Sequence, residues 1–523
     1  MTPTQTWTPK HNPWVIALVV TMATFMEVLD TSIANVALPH IAGNLSAGTD
    51  ESTWVLSSYL VANAVILPIS AWLATRFGRK RFYMTCVVLF GISSLLCGLA
   101  PSLSWLVFFR VVQGLGGGGL APSEQAILAD NFQPQKRGMA FAIYGMAVVL
   151  APAIGPTLGG YITDNFDWRW IFFINVPVAI VSLMLTSRLV EDPPHARAKK
   201  NPGPVDVVGL ILVAVAVGAG QVVLDKGQRE DWFSSKFILI FQIASTACLI
   251  GAIFWEYYHP HPIIDIRLFK NRNFTISCVL MFMLGAALFG ATVLLPQLVQ
   301  TLMGYTAEQA GFVLSPGAVV IIILLPFVGR MINKVDPRWM IAFGFAAAGL
   351  GLINMARVNP SMDINTIIWL RVVQMTGVAF LFVPIQTMTY VGVPMEKNNN
   401  VSGMINLARN MGGSIGIAGL ETILARRTQF HQSSLAAHTS GLDRPFQFSL
   451  DAITHAFTQA GYDAVTATQM AYAQIYQMMQ GQAAWLAYID TIWIYAGLCL
   501  VVVPLPFLMR RPKRGSGPVM GAH

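Results

Sequence analysis

The chain is written as long apolar stretches separated by short polar segments rich in Lys and Arg. A helix needs about 20 largely apolar residues to cross ~30 Å of hydrocarbon, and fourteen stretches meet that need. They lie at about 13–37, 53–74, 82–100, 103–122, 138–161, 168–187, 205–223, 237–255, 274–299, 310–330, 339–356, 364–390, 400–424 and 485–508. An even number of crossings puts both termini on one side. With that side inside, the inner segments hold 22 Lys and Arg, the outer segments 8, and Arg110, Arg371 and Arg409 lie within spans. Basic residues collect in cytoplasmic loops, so the termini are expected in the cytoplasm. The first stretch follows a short tail with no small-residue cleavage site and reads as a retained helix.

Composition agrees with this reading. Hydrophobic residues make up 54% and charged residues 11%, where soluble domains carry about 25% charged. Disorder, collagen, a disulfide scaffold and an ordinary cytosolic enzyme are excluded. The five cysteines show no metal-ligand spacing, and neither a disulfide, a metal nor a cofactor is expected. The net charge of +8 is spread in clusters between spans, unlike the continuous stripe of a nucleic-acid binder.

The chain repeats itself at an offset of 261 residues: Arg110 answers to Arg371, Gln113 to Gln374, Lys136 to Lys397 and Gly155 to Gly416. This predicts an all-α integral membrane protein of two pseudo-symmetric six-helix bundles, at 1–200 and 273–523, with two inserted spans and a connection at 201–272. Transporters are commonly built so, with substrate handled at the repeat interface and access alternating as the halves rock.

Charges inside spans indicate chemistry, because each costs roughly 2.5–3.5 kcal/mol at a helix centre. Glu27 and Asp30 share a face of the first span. At ~1.5 Å per residue Glu27 lies ~21 Å and Asp30 ~25 Å from the inner end, and Arg110 in the fourth span reaches about the same depth. Two acids facing one arginine leave a carboxyl able to take and release a proton. Arg371 has no acid in its opposite span and reads as a relic of the repeat or a donor to carbonyls, while Arg409 and Gln113 are candidate cavity residues with Glu27. Glu124 and Glu421 fall near predicted helix ends and read as solvated.

The run GLGGGG at 114–119 lacks the strand and the Lys-Ser/Thr of a phosphate loop, so it reads as close helix packing, and no nucleotide motif is present. In APAIGPTLGG at 151–160, Pro152 and Pro156 remove backbone donors while Gly155, Gly159 and Gly160 permit tight contact. A kinked fifth helix packed on the eleventh is expected.

These residues resemble the major facilitator superfamily, in particular its fourteen-helix drug:proton antiporters of the EmrB type. The resemblance rests on LDTSIANVALP at 29–39, RVVQG at 110–114, GPTLGG at 155–160 and WRWIFFINVP at 168–177. It implies export of varied hydrophobic compounds in exchange for protons, from a bacterial inner membrane. Asp30 and Arg110 are then the coupling residues, and an EmrA-type periplasmic adaptor with a TolC-type outer channel are the implied partners. The loop AWLATRFGRK at 71–80 keeps Gly78, Arg79 and Lys80 of the family's conformational motif but has Ala71 and Thr75 where Gly and Asp are usual, so the latch lacks its own acid. Export of a single metabolite or siderophore, and a receptor or scaffold that kept the fold, are the alternatives. An enzyme is not expected.

The outer segment at 425–484 is long for a connection. Its first part, with Ser433, Ser434, Thr439, Ser440 and Gly441, reads as flexible. From Asp451 to Gln480 the spacing predicts a helix whose Met470, Met478 and Met479 offer either an adaptable surface for an adaptor or a stripe that packs on the outer face or extends the last span outward.

Overall fold

A computed structural model describes residues 9–194, 197, 206–260, 262–359, 362–437, 439 and 443–511, and none of these lies in a strand. The first eight long helices are α1 (Pro13–Asn44), α2 (Trp54–Phe77), α3 (Arg79–Gly98), α4 (Leu103–Asn131), α5 (Pro134–Asn165), α6 (Trp170–Leu189), α7 (Val207–Lys226) and α8 (Lys236–Tyr258). They are followed by α9 (Arg272–Thr301), α10 (Ala307–Met331), α11 (Pro337–Met355), α12 (Ile364–Thr389), α13 (Asn398–Ala436), α14 (Arg444–Gln459) and α15 (Ala464–Val502).

Among the described residues thirteen helices are long and apolar enough to cross a membrane, all of these but α13 and α14. Helix α13 corresponds to the thirteenth apolar stretch. It falls short in hydropathy because Asn398, Asn399, Ser402, Asn406 and Arg409 are buried on its inner face. It packs against α9, α2, α15 and the end of α4, so its polar side is turned into the bundle, away from lipid. The fourth span also outruns its hydropathy window. It pauses at Gly118–Gly119 and continues as Leu120–Asn131, which makes Glu124 a mid-helix residue.

Small residues set the helix spacing. A side chain on Gly116 would run into the α3 backbone, and one on Gly377, its counterpart 261 residues on, into the α11 backbone. Helices α9 and α13 touch through Gly285, Gly412 and Gly416, each lying against opposing backbone. Helix α5 runs unbroken through both prolines. Pro156 cannot donate to the carbonyl four residues back, and that carbonyl, on Pro152, instead accepts from the Ser32 hydroxyl of α1 at 3.4 Å. Gly155 and Gly159 lie against Ser32 and Ile33, whereas Gly160 faces open space, contrary to expectation.

The main partners of α5 are α1 and α10, and not the expected α11. Its contact with α10 is made where Gly138 meets Gly329, an approach only glycines permit. The inserted α7 packs on α2, pinned by Asp225 to Ser57 and by Lys226 Nζ to Thr53 Oγ1 at 2.6 Å.

The segment beyond the far ends of the spans is helical. Ser433 and Ser434 lie within α13, against expectation; Thr439 follows its end, while Ser440 and Gly441 lie outside the described residues. The single helix expected over 451–480 is broken at Gly461, whose φ of +98° takes the left-handed conformation that glycine accommodates. Asp463 then caps α15 by accepting from Thr466 and Val465 nitrogens. The Thr466 hydroxyl foremost, with the backbone bonds of Thr466 and Val465, holds its carboxyl below the usual range. Phe446, Leu450, Ile453 and Phe457 share the face of α14 that is half-buried towards α15, while Phe448 on the opposite face is 82% exposed.

The α9–α13 contact yields a test. Gly412→Val should cost about 1–3 kcal/mol by overpacking and lower the thermal unfolding temperature, whereas Gly419→Val, with open space around it, should leave that temperature unchanged.

Candidate functional site

Helices α1, α2, α4 and α5, with α7, α9, α10, α12 and α13, enclose a cavity of about 240 Å³. Its wall is largely apolar, with Val28, Leu60, Val148, Leu288, Ile321 and Met375 among the lining residues. The charged groups that reach it are Glu27 from α1, Arg371 from α12 and Arg409 from α13. Gln221 of the inserted α7 lines it too.

Asp30 and Arg110 meet behind this wall. Arg110 Nη1 donates to Asp30 Oδ2 at 2.6 Å, with both side chains buried. Gln113 Nε2 and Asn175 Nδ2 donate to Asp30 Oδ1 at 3.1 and 2.7 Å, so three helices, α1, α4 and α6, converge on one carboxylate. Arg110 is itself held by the Val55 carbonyl at 2.9 Å and Gln113 Oε1 at 2.7 Å, and its guanidinium lies 4.3 Å from the centre of the Tyr59 ring. Such charge-assisted bonds in a low dielectric are strong only while the carboxyl is ionised. A proton on Asp30 therefore weakens the links between three helices at once.

Glu27 takes a different environment from the one expected. It does not pair with Arg110; Asn63 Nδ2 and the Tyr59 hydroxyl donate to its Oε1 at 2.9 and 3.2 Å. Tyr59 thus touches both acids' surroundings, its ring under Arg110 and its hydroxyl on Glu27. Gln113 corrects a second expectation: it is fully buried beside Asp30 rather than on the cavity wall, because its amide is needed to bridge Asp30 and Arg110.

Arg371 repeats the fourth-span geometry, donating from Nη1 to Gln374 Oε1 at 2.7 Å as Arg110 does to Gln113. No carboxylate pairs with it among the described residues. Arg409 Nη1 donates to the Tyr144 hydroxyl at 3.1 Å.

On the side of the termini the two groups of helices are joined by hydrogen bonds. Gln386 donates to Gln125 at 2.6 Å, Asn406 to the same oxygen at 2.8 Å, Asn333 to the Gln135 carbonyl at 2.8 Å, and Asn398 to Asp130 at 2.6 Å. Asp130 also accepts from Arg79, the basic residue whose acid was missing from its own loop. The acid is supplied from the end of α4, out of reach of any local motif. Gly78 turns the chain at φ +88° so that Arg79 enters the bundle. Lys80 binds the Ser187 carbonyl at 2.7 Å, and its backbone nitrogen binds Asp192 at 2.9 Å.

Glu124 overturns another expectation. It is fully buried and accepts from the Thr21 hydroxyl at 2.6 Å. Tyr59, Asn63 and Asn175 were not singled out from the sequence, although polar residues four apart in an apolar run, as Tyr59 and Asn63 are, carried a signal.

Comparison with known proteins adds the following. The profile of the Major Facilitator Superfamily matches residues 20–417. The chain is 36% identical over 510 residues to the multidrug export protein EmrB of Escherichia coli K12, covering 97% of this chain and 98% of that one. It is 41% identical over 425 residues to the probable multidrug resistance protein EmrY of the same organism, covering 81% and 82%. The crystal structure of the human organic anion transporter MFSD10 superposes with a TM-score of 0.61 at 12% identity, covering 95% of this chain and all of that one.

The buried pair sets a measurable energy. Arg110→Ala strands a buried carboxylate and should destabilise by about 3–5 kcal/mol. Adding Asp30→Asn should recover much of that loss in equilibrium unfolding; additive losses would show the pair is not coupled.

Proposed function

We propose that this chain, which belongs to the major facilitator superfamily, is a proton-driven exporter of hydrophobic and amphipathic small molecules that works by alternating access. The observation that carries the reading is the Asp30–Arg110 pair, buried directly behind a largely apolar cavity between two groups of helices. The relatives named for multidrug export point the same way. An apolar wall with few polar groups selects by size and hydrophobicity more than by shape, as a pump of broad range requires.

Coupling follows from the bonds. An outer-side proton that neutralises Asp30 loosens α1, α4 and α6 from one another, and passage through the potential supplies about 2.3 kcal/mol per 100 mV. That energy goes into separating the terminal-side contacts, Gln125 with Gln386 and Asn406, and Asp130 with Asn398, while the Arg79–Asp130 pair within the first half holds the Asp130 acceptor in place. These are amide and ionic bonds that water can replace as the inner mouth opens. Arg79, with Gly78 and Lys80, serves as the latch of the closed state, and the α1–α5 contact at Gly155 and Gly159 as a sliding surface. Glu27 and Arg409 on opposite walls discriminate substrates by charge.

In this reading the protein spans a bacterial inner membrane with both termini cytoplasmic, so α14 and the first turns of α15 stand in the periplasm. Their exposed Phe448, Val465 and Met478 offer an apolar surface to an EmrA-type adaptor leading to a TolC-type channel.

In proteoliposomes Asp30→Asn should keep substrate binding and lose accumulation driven by a pH gradient; pH-driven accumulation at the wild-type rate would overturn the coupling assignment. Glu27→Gln should depress transport of cationic dyes more than that of neutral ones. In cells, a Gly-Ser linker in place of 444–459 should abolish adaptor-dependent resistance while transport in proteoliposomes persists.

A further inference from the structure

Helix α1 places Thr21, Thr24, Glu27 and Asp30 three residues apart on one side. The lower end of this column meets Glu124, on the inner piece of α4. One Glu124 oxygen accepts from Thr21, and the other has no hydrogen-bond partner although it is sealed from solvent. The Thr24 hydroxyl, which stands beside Glu124, is likewise buried and unpartnered. A donor, the Thr24 hydroxyl, and an acceptor, the free Glu124 oxygen, thus lie side by side on the terminal side of Glu27, which lines the cavity wall.

The charged and titratable groups facing Glu124 are Glu27 on α1, Tyr83 on α3, Tyr144 on α5 and Arg409 on α13. Tyr59 of α2 and Cys86 of α3 flank the same helix higher up, at Gly117 and Gly119. Arg409 is engaged with Tyr144, and Arg79 below is engaged with Asp130, so Glu124 has no ion pair among the described residues. An acid kept in such a place at the cost of burying it is a functional group by default.

We infer that Glu124 is a second proton-carrying carboxyl, coupled by charge to Glu27, which holds a proton on the terminal side of the cavity. The step balances: Glu27 releases a proton as the free Glu124 oxygen takes one up, and the net charge of the two acids is unchanged. The cavity acid is left ionised and the buried one neutral, so a proton taken from the far side advances before the halves move. The inference rests on the proton-coupled reading above.

Glu124→Gln tests it, because glutamine keeps the shape and the Thr21 bond but holds no proton. In infrared difference spectra of the purified full chain across a pH titration, a protonated-carboxyl band should vanish in Glu124→Gln. The midpoint of that band should shift in Glu27→Gln. In proteoliposomes loaded with ethidium, pH-driven transport by Glu124→Gln should fall about tenfold or more while ethidium exchange at equal pH stays within about twofold, since only the proton-transfer step is removed. An unaltered band, or unaltered pH-driven transport, overturns the inference, as does equal loss of both activities with a lowered unfolding temperature, which marks a structural role. Wild-type protein that moves no ethidium would instead count against the transport reading, and the infrared result would still decide whether Glu124 carries a proton.

Discussion

The contact between the Asp30 carboxylate and Arg110 organises the first half of the molecule. Two charges removed from water are stable together only if most of their remaining bonding capacity is met, and here Val55 of α2, Gln113 of α4 and Asn175 of α6 bond to the pair, leaving only the buried Arg110 Nη2 without a partner among the described residues. The glycines of α4 then become intelligible. Arg110 reaches the Val55 carbonyl and stacks on Tyr59 because Gly114 lets α4 lie directly against the α2 backbone, where any side chain would collide. Helix spacing, ion-pair geometry and the wall of the cavity are parts of one arrangement.

The second half keeps the framework of that arrangement without its charge balance. Arg371 and Gln374 reproduce the arginine–glutamine bond, and Gly377 reproduces the close approach of Gly116, but among the described residues no carboxylate pairs with Arg371 as Asp30 does with Arg110. The guanidinium consequently turns towards the cavity. The two halves therefore differ in charge, one holding a buried carboxylate–guanidinium pair and the other turning a guanidinium to the cavity.

How far the sequence alone discloses this depends on what each signal measures. Asp30 and Arg110 were legible because a charge in an apolar run has no neutral explanation, and their common depth follows from helix rise. The partner of Arg79 was not, since Asp130 is 51 residues away and is brought near only by packing. Glu124 was misread because hydropathy falls at Pro122 to Gln125 both when a span ends and when a span turns polar groups inward, and here the second holds. Helix α13 was legible as an apolar stretch at 400–424 even though its buried asparagines lower its hydropathy. The pairing of α5 with α10 is a long-range choice between surfaces of small residues, and no local pattern encodes it. The outer helices were half legible: helical spacing was visible, but the interruption at Gly461 needs the backbone angle.

Gln125 and Gln386 stand 261 residues apart, the interval of the internal repeat, and they are bonded to each other. Equivalent positions can touch only where the axis relating the two halves passes between them. That contact is isologous in kind, the sort a symmetric homodimer makes with its own copy. In a dimer of half-length chains, one glutamine at this position would meet itself in the same way. On the axis a change in either glutamine is felt directly by the other, so the two positions constrain each other as no off-axis pair does.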